Sequence, residues 1–279
     1  MIYNIKMPKL KTVKRSRKSP KKSVLRSRKA ISRKAISRKV TKYHVNGELP
    51  ELIRKLEEVK EVYKQLFLEM TAMQKIIKFI QDTCVLFDID DSHGLDHSIK
   101  TLLWSLKIGK DVNLTYYELQ VIQLSCLLHD MCDKKYMNET YGVQRIRIFL
   151  TETMKIDDGI IDRVIFIIKT MSYSKVIKDG YPDFKKDKSL EKCYHIVRNS
   201  DLLESYDPER CIAYNVRCGG TRKDSIIIMF EIFKKRELLL LENGYINIEP
   251  AKEYAMILHR EALVKLKKYR LELLTRFNL

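Results

Sequence analysis

An all-α fold is predicted for most of this chain, and three observations predict it. Apolar residues recur in steps of three and four over long stretches, which is the helical period. Leu and Ile are plentiful while Gly (9) and Pro (6) are few among 279 residues, a poor supply of turn-formers for a β protein. No series of alternating apolar and polar runs marks out strands. With 45% apolar residues, the chain can bury a sizeable core.

Charge divides the sequence into two parts. Residues 1–47 hold 17 of the 54 Lys and Arg residues and no Asp or Glu. Residues 48–279 then carry 37 basic against 36 acidic residues, so the formal net charge of +18 belongs to one end. "RKAISRKAISRKV" (28–40) repeats the unit Arg-Lys-Ala-Ile-Ser. Like charges at this density repel, and too little apolar surface is present for a core. A disordered basic arm is therefore expected over 1–47, followed by an all-α domain over 48–279. Through residues 1–45 the arm offers non-specific contact with nucleic-acid phosphates, or a nuclear-targeting signal. A solvated tail that adds only solubility is the plainer alternative. Tyr3 and Tyr43 are its only aromatic residues, so base readout is not expected.

The elements follow in order. Leu52, Leu56, Val59, Tyr63, Leu66, Met70, Met73, Ile77 and Ile80 form a sustained helical stripe. Two readings stay open: a coiled-coil seam joining a homodimer, or one or two helices packed on the domain. Ile53, Val62, Phe67, Ile76 and Phe79 widen the stripe, which suits globular packing better. "DIDDSHG" (88–94) interrupts it with turn-formers. Helices are predicted over 96–110, 116–130, 141–153, 158–171, 190–206, 208–216, 223–241 and 250–277. Residues 178–188, "KDGYPDFKKDK", read as a charged loop, and "ENGYIN" (242–247) as a turn. Asp207-Pro208 is a start signal, because Asp caps a helix and Pro fits its first turn.

Several classes are excluded. The six cysteines (84, 126, 132, 193, 211, 218) show no Cys-x-x-Cys pair and no framework spacing. Disulfides are not expected, and an intracellular, reducing compartment, cytoplasmic or nuclear, is the simpler reading. No apolar stretch approaches a membrane span, and the N-terminal residues lack the apolar run of a secretory signal. No membrane partner is expected.

Four side chains suit a divalent metal: His97, His129, Asp130 and Asp201. They fall on or at the ends of three predicted helices. Imidazole and carboxylate together make a site of intermediate hardness, suited to manganese, iron, cobalt, nickel or zinc. Consecutive residues on a helix point about a third of a turn apart. His129 and Asp130 can then share one ion only if it lies near the helix surface, and a bare His-Asp pair is by itself a weak signal.

The order His, His-Asp, Asp on successive helices resembles the HD-domain metal-dependent phosphohydrolases. "DDSHGLDHSIKT" (90–101) resembles the Asp-x-Ser-His-x-x-x-His segment of their small nucleotide-hydrolysing branch. "LLHDMCDKKY" (127–136) resembles its Leu-Leu-His-Asp-x-x-Asp-x-Lys-Tyr, and "MSYSK" (171–175) its Ser-Phe-Ser-Lys. "SDLLESY" (200–206) and "RCGG" (217–220) resemble the metal-Asp helix and the Gly-Gly loop beyond. The resemblance spans residues 70–245. It implies an HD-domain helical bundle with His97, His129, Asp130 and Asp201 as ligands to a divalent ion: manganese, cobalt, iron or magnesium. Asp133 would orient or deprotonate the attacking water, and Lys134 and Lys175 would neutralise substrate phosphates. Where the branch carries a basic residue after the last metal Asp, this chain has Leu202. Arg210 is the candidate replacement for that charge.

The implied activity is an HD-type metal-dependent phosphohydrolase acting on nucleotides or a related phosphate ester, including release of pyrophosphate from a nucleoside triphosphate. The partner is then a phosphorylated small molecule. Two other classes are weighed beside it. One is a nucleic-acid-associated binding protein with a nucleotide-sensing or inactive HD site; the other is a phosphodiesterase on nucleic acid or a cyclic nucleotide. His93, four residues before His97, reads as a substrate contact or as a hydrogen bond at the start of its helix. His195 reads as structural, Cys126 and Cys132 as packing thiols and Trp104 as core; Lys135 could be a phosphate ligand, with a solvated charge the plainer reading. Tyr173 reads equally as a base-stacking ring or a packed aromatic.

Overall fold

The computed structural model describes residues 70–110 and 112–277. The basic arm expected over 1–47, and the apolar stripe before Met70, lie outside the described residues. Among the described residues the fold is all-helical. The helices are α1 (Met70–Phe87), α2 (Leu95–Gly109), α3 (Tyr116–Leu128), α4 (Glu139–Ile148), α5 (Asp158–Thr170), α6 (Tyr173–Asp179), α7 (Lys188–Glu204), α8 (Pro208–Arg217), α9 (Arg222–Lys235) and α10 (Glu249–Phe277). A π-helical turn, Phe149–Thr153, extends α4, and a 3₁₀ turn, Glu237–Leu239, follows α9.

Short polar side chains start most of these helices. Thr115 and Glu118 form a reciprocal capping box on α3. Asn138, Asp157, Asp187 and Thr221 cap α4, α5, α7 and α9 by accepting from backbone N–H groups. Asp207 accepts from Glu209 N, with Pro208 in the first turn of α8. Each cap satisfies a donor that the helix itself leaves open.

Three central helices hold the core together: α2, α3 and α7 all touch one another, and α5 covers α3. Every residue of α3 from Val121 to Leu128 is buried. A helix apolar and buried on all sides belongs in the middle of a fold, which is why "VIQLSCLL" shows no one-sided stripe. In α7 the run Ile196–Leu203 is buried except at Asp201. Met73, Ile76, Ile77 and Ile80 of α1 join the same core. No described helix is long and apolar enough to cross a membrane.

Three boundaries differ from expectation. The helix predicted over 116–130 ends at Leu128, so His129 and Asp130 lie in a turn rather than on a helix. There Met131 N bonds to Leu128 O at 3.0 Å and Asp133 N to Asp130 O at 3.2 Å, three-residue bonds that tighten the chain. The helix predicted over 223–241 stops at Lys235, because Arg236 has φ −136° and ψ −66°. Residues 173–179 form the short helix α6, which ends at Gly180 (φ +77°), a conformation suited to glycine.

Candidate metal centre and its cavity

The three central helices bring the predicted ligands together. His97 stands in the first turn of α2, Asp201 near the end of α7, and His129 and Asp130 directly after α3. One ligand atom from each of His97, His129 and Asp201 lies within 4.8 Å of the others, a group that can hold a metal ion. His97 Nε2 is 3.0 Å from His129 Nε2. Asp201 Oδ1 is 3.2 Å from the first and 3.7 Å from the second. Asp130 Oδ2 lies 3.3 Å from His129 Nε2 and 3.5 Å from His97 Nε2. The tight turn at 129–133 is what lets adjacent residues aim at one point.

The donors fit a cation on three observations. First, ligands about 2.1 Å from one ion and at right angles are about 3.0 Å apart, which matches the two imidazole nitrogens. Second, Asp130 Oδ2 is buried with no hydrogen-bond partner, and an orphaned carboxylate oxygen is costly unless something positive meets it. Third, His129 Nδ1 is 2.9 Å from Cys126 O. That bond places the ring proton on Nδ1 and leaves Nε2 as a lone pair for a cation.

Electrostatics agree. Burial, with the positive Arg210 nearby, pushes His97 down to about 4. Burial also disfavours charge on His129, yet the Asp130 and Asp201 carboxylates outweigh it and lift His129 to about 9. Burial opposes ionisation of Asp201, but its bonds to His129 and His97 hold it well below the usual carboxylate range. Asp130 is lowered in the same way, chiefly by His129. The carboxylates of Asp130 and Asp201 thus favour positive charge at the point where the His129 Nε2 lies, which a bound cation would supply.

A cavity of about 270 Å³ opens on this cluster, just below the roughly 300–1,000 Å³ that hold small ligands. His129, Asp130 and Asp201 line it, as do all five other predicted site residues: His93, Asp133, Lys134, Lys175 and Arg210. Lys134 is exposed on its rim. Arg210 donates from Nε to Ser92 O at 2.7 Å, fastening α8 to the turn before α2. Lys175 Nζ pairs with Glu139 Oε1 at 2.5 Å and also donates to Lys169 O, so it is already partnered.

His93 precedes α2, as the turn-formers predicted, and takes part in a network. Its Nε2 is 3.1 Å from Lys135 Nζ. An ammonium only donates, so Nε2 accepts and Nδ1 carries the proton, 2.9 Å from Tyr136 Oη. Tyr136 in turn donates to Asp90 Oδ2 at 2.5 Å. Burial opposes ionisation of Asp90, but bonds from His93, Ser92 and Tyr136 hold it below the carboxylate range.

Lys135 is exposed, as a solvated charge should be, and still makes local contacts. It lines the cavity, and besides His93 it meets Asp133 Oδ2 at 3.4 Å. Asp133 also accepts from Lys135 N at 2.8 Å, so the two residues form one unit. His195 lies 2.9 Å from Asn247 and is not among the residues lining the cavity. Cys126 and Cys132 are buried thiols, each pushed up to about 12, first by burial. Trp104 is half-buried and donates to Glu204 at 2.7 Å.

Arg236 and Tyr136 escaped the sequence reading. Arg236 lines the cavity, yet "KKRE" reads as an ordinary solvated charge run. Only the break after Lys235, which periodicity does not reveal, turns it inward. Tyr136 was visible within the quoted motif but carried no assigned role.

Comparison with protein-family models, with curated proteins and with solved structures finds no match to this chain.

Proposed function

We propose that this protein is a divalent-metal-dependent phosphohydrolase of the HD type, acting on a nucleotide or a related phosphate ester. One observation carries the reading: two imidazole nitrogens and two carboxylate oxygens from α2, α7 and the turn after α3 converge beside a cavity rich in cationic side chains. His97, His129, Asp130 and Asp201 would hold the ion. When bound, such an ion supplies Lewis-acid polarisation of a phosphoryl oxygen and makes a nearby water acidic enough to act near neutral pH.

The chain's own residues supply the rest. Asp133, in the cavity wall with its carboxylate fixed by Lys135, would accept a proton from the attacking water. Lys134, Lys135 and Arg210 offset the negative charge of the phosphate, which grows on the leaving oxygen as the P–O bond breaks. Lys175 joins them by exchanging Glu139 for a phosphate oxygen. His93, with its proton set on Nδ1 and Nε2 toward Lys135, positions that lysine. A cavity of this size suits a small phosphate ester rather than a duplex.

The test is phosphate and pyrophosphate release from a nucleotide panel by the full-length chain, with manganese, cobalt or magnesium, beside its Asp130→Ala variant. Metal-dependent turnover that the variant loses is the expected result, and the product identifies the bond broken. A folded, metal-loaded protein that turns over no member of the panel overturns the reading.

A further inference from the structure

The cavity contains a flat, cationic surface that phosphate chemistry does not use. The Arg236 guanidinium lies over the Tyr173 ring, 5.0 Å from its centroid, and both residues line the cavity. A buried carboxylate holds the guanidinium in place. Glu237, 1% exposed, binds it through Nε at 2.5 Å and through Nη2. The other Glu237 oxygen accepts from Ser205 Oγ at 2.5 Å, next to the end of α7. Arg236 is therefore charge-balanced at one edge, while its side chain remains 40% exposed.

Tyr173 is held from behind. Its ring meets the edge of Tyr245 at 5.2 Å. Tyr245 is itself covered by the guanidinium of Arg198, 5.5 Å away, which also donates to Tyr245 O at 2.7 Å. Arg198 is completely buried on α7, three residues before Asp201. The chain Arg198–Tyr245–Tyr173–Arg236 thus ties a stacked pair to the helix that presents a ligand of the metal centre.

A guanidinium already neutralised by a buried carboxylate is a poor competitor for phosphate. Its exposed part, together with the Tyr173 ring beneath it in the cavity wall, is instead suited to meet another planar π system. We infer that Tyr173 and Arg236 form the recognition surface for the base of a nucleotide substrate, stacking on it while the phosphates meet the metal centre and the lysines. This rests on the phosphohydrolase reading and deepens it: it sets nucleotides above simple phosphate esters as the substrate class.

The experiment compares a nucleoside triphosphate with inorganic tripolyphosphate, which has the phosphates and no base. Binding by calorimetry and steady-state turnover are measured for the full-length protein, Arg236→Ala, Tyr173→Ala and Tyr173→Phe. Stacking on one base is worth roughly tenfold in affinity. Both alanine variants should weaken nucleotide binding and raise its KM by about that factor. Their kcat, and their tripolyphosphate affinity, should stay near those of the parent, and Tyr173→Phe should behave as the parent. Equal losses for both ligands would make Arg236 a phosphate contact and overturn the inference. Unchanged nucleotide affinity in a folded Tyr173→Ala or Arg236→Ala variant would overturn it too. Failure of the phosphohydrolase reading is separate, since then the parent itself turns over neither compound.

Discussion

His97 Nε2 faces His129 Nε2 at 3.0 Å although 32 residues separate them in sequence. Neither helix alone determines that contact. It exists because α2 and α3 pack side by side, and because α3 stops one residue short of His129. Two ring nitrogens so close need a proton or a metal ion between them. The carboxylates of Asp130 and Asp201 on the same point favour the cation.

The first prediction follows from that pair. Chelated protein should melt at a higher temperature when manganese or cobalt is restored, because a ligand that binds only the folded state stabilises it. At a hundred times Kd the gain is about 2.7 kcal/mol, roughly 5–10 °C for a domain of this size. Asp201→Asn should remove most of the shift. A melting temperature indifferent to every divalent ion tested would argue against a metal centre.

Gly142 tests how the His-Asp turn is supported. A Cβ there would stand 2.7 Å from Cys132 Cα and 2.8 Å from Met137 Sδ. The first of these is backbone of the 129–137 segment and cannot rotate aside. Gly142→Ala should therefore cost about 1–3 kcal/mol by overpacking and weaken metal binding as the turn shifts. Denaturant unfolding and metal titration read the two effects. An alanine variant as stable and as metal-competent as the parent would show that the contact is not restrictive.

Glu118 links the start of α3 to α7 and sets a pH dependence. It is buried, and accepts from Thr115 N, Ser189 Oγ and Lys192 Nζ, each at 2.9 Å. Burial opposes its charge, but these bonds, led by Lys192, hold it below the ordinary value of 4.5. A depressed folded-state value means that the contribution is complete above about 4.5 and is lost as pH falls through the folded-state value. Glu118→Gln should cost about 1–3 kcal/mol at neutral pH. The gap between variant and parent should narrow in acid, and a gap independent of pH would count against the ionised role.

Lys175 and Glu139 give a kinetic prediction that depends on the phosphohydrolase reading. Their 2.5 Å ion pair occupies the lysine within the cavity. Glu139→Gln frees that lysine and removes a negative charge from the approach of an anionic substrate. KM should fall several-fold, while Lys175→Ala should raise it about tenfold, the worth of roughly 1.4 kcal/mol for one charge-assisted contact. If both variants raise KM alike, the intact ion pair, rather than a freed lysine, is what serves the substrate.

Much of this was legible in the residues themselves. The three-and-four spacing and the scarcity of Gly and Pro determine an all-helical domain, because helical order is local and needs only neighbours along the chain. The cap Asp207, with Pro208 after it, marked a helix start for the same reason. The ligand types His97, His129, Asp130 and Asp201 stood out through their chemistry. Tertiary structure decided what periodicity cannot report. Burial of α3 on every side erased its stripe, and the turn after Leu128 aimed His129 and Asp130 at one point. Lys135, though exposed, met His93 and Asp133 in a network. The break at Arg236, with Glu237 buried behind it, converted one residue of a basic run into a wall of the cavity. These are contacts between residues far apart in sequence, and their energies appear only once the helices have packed.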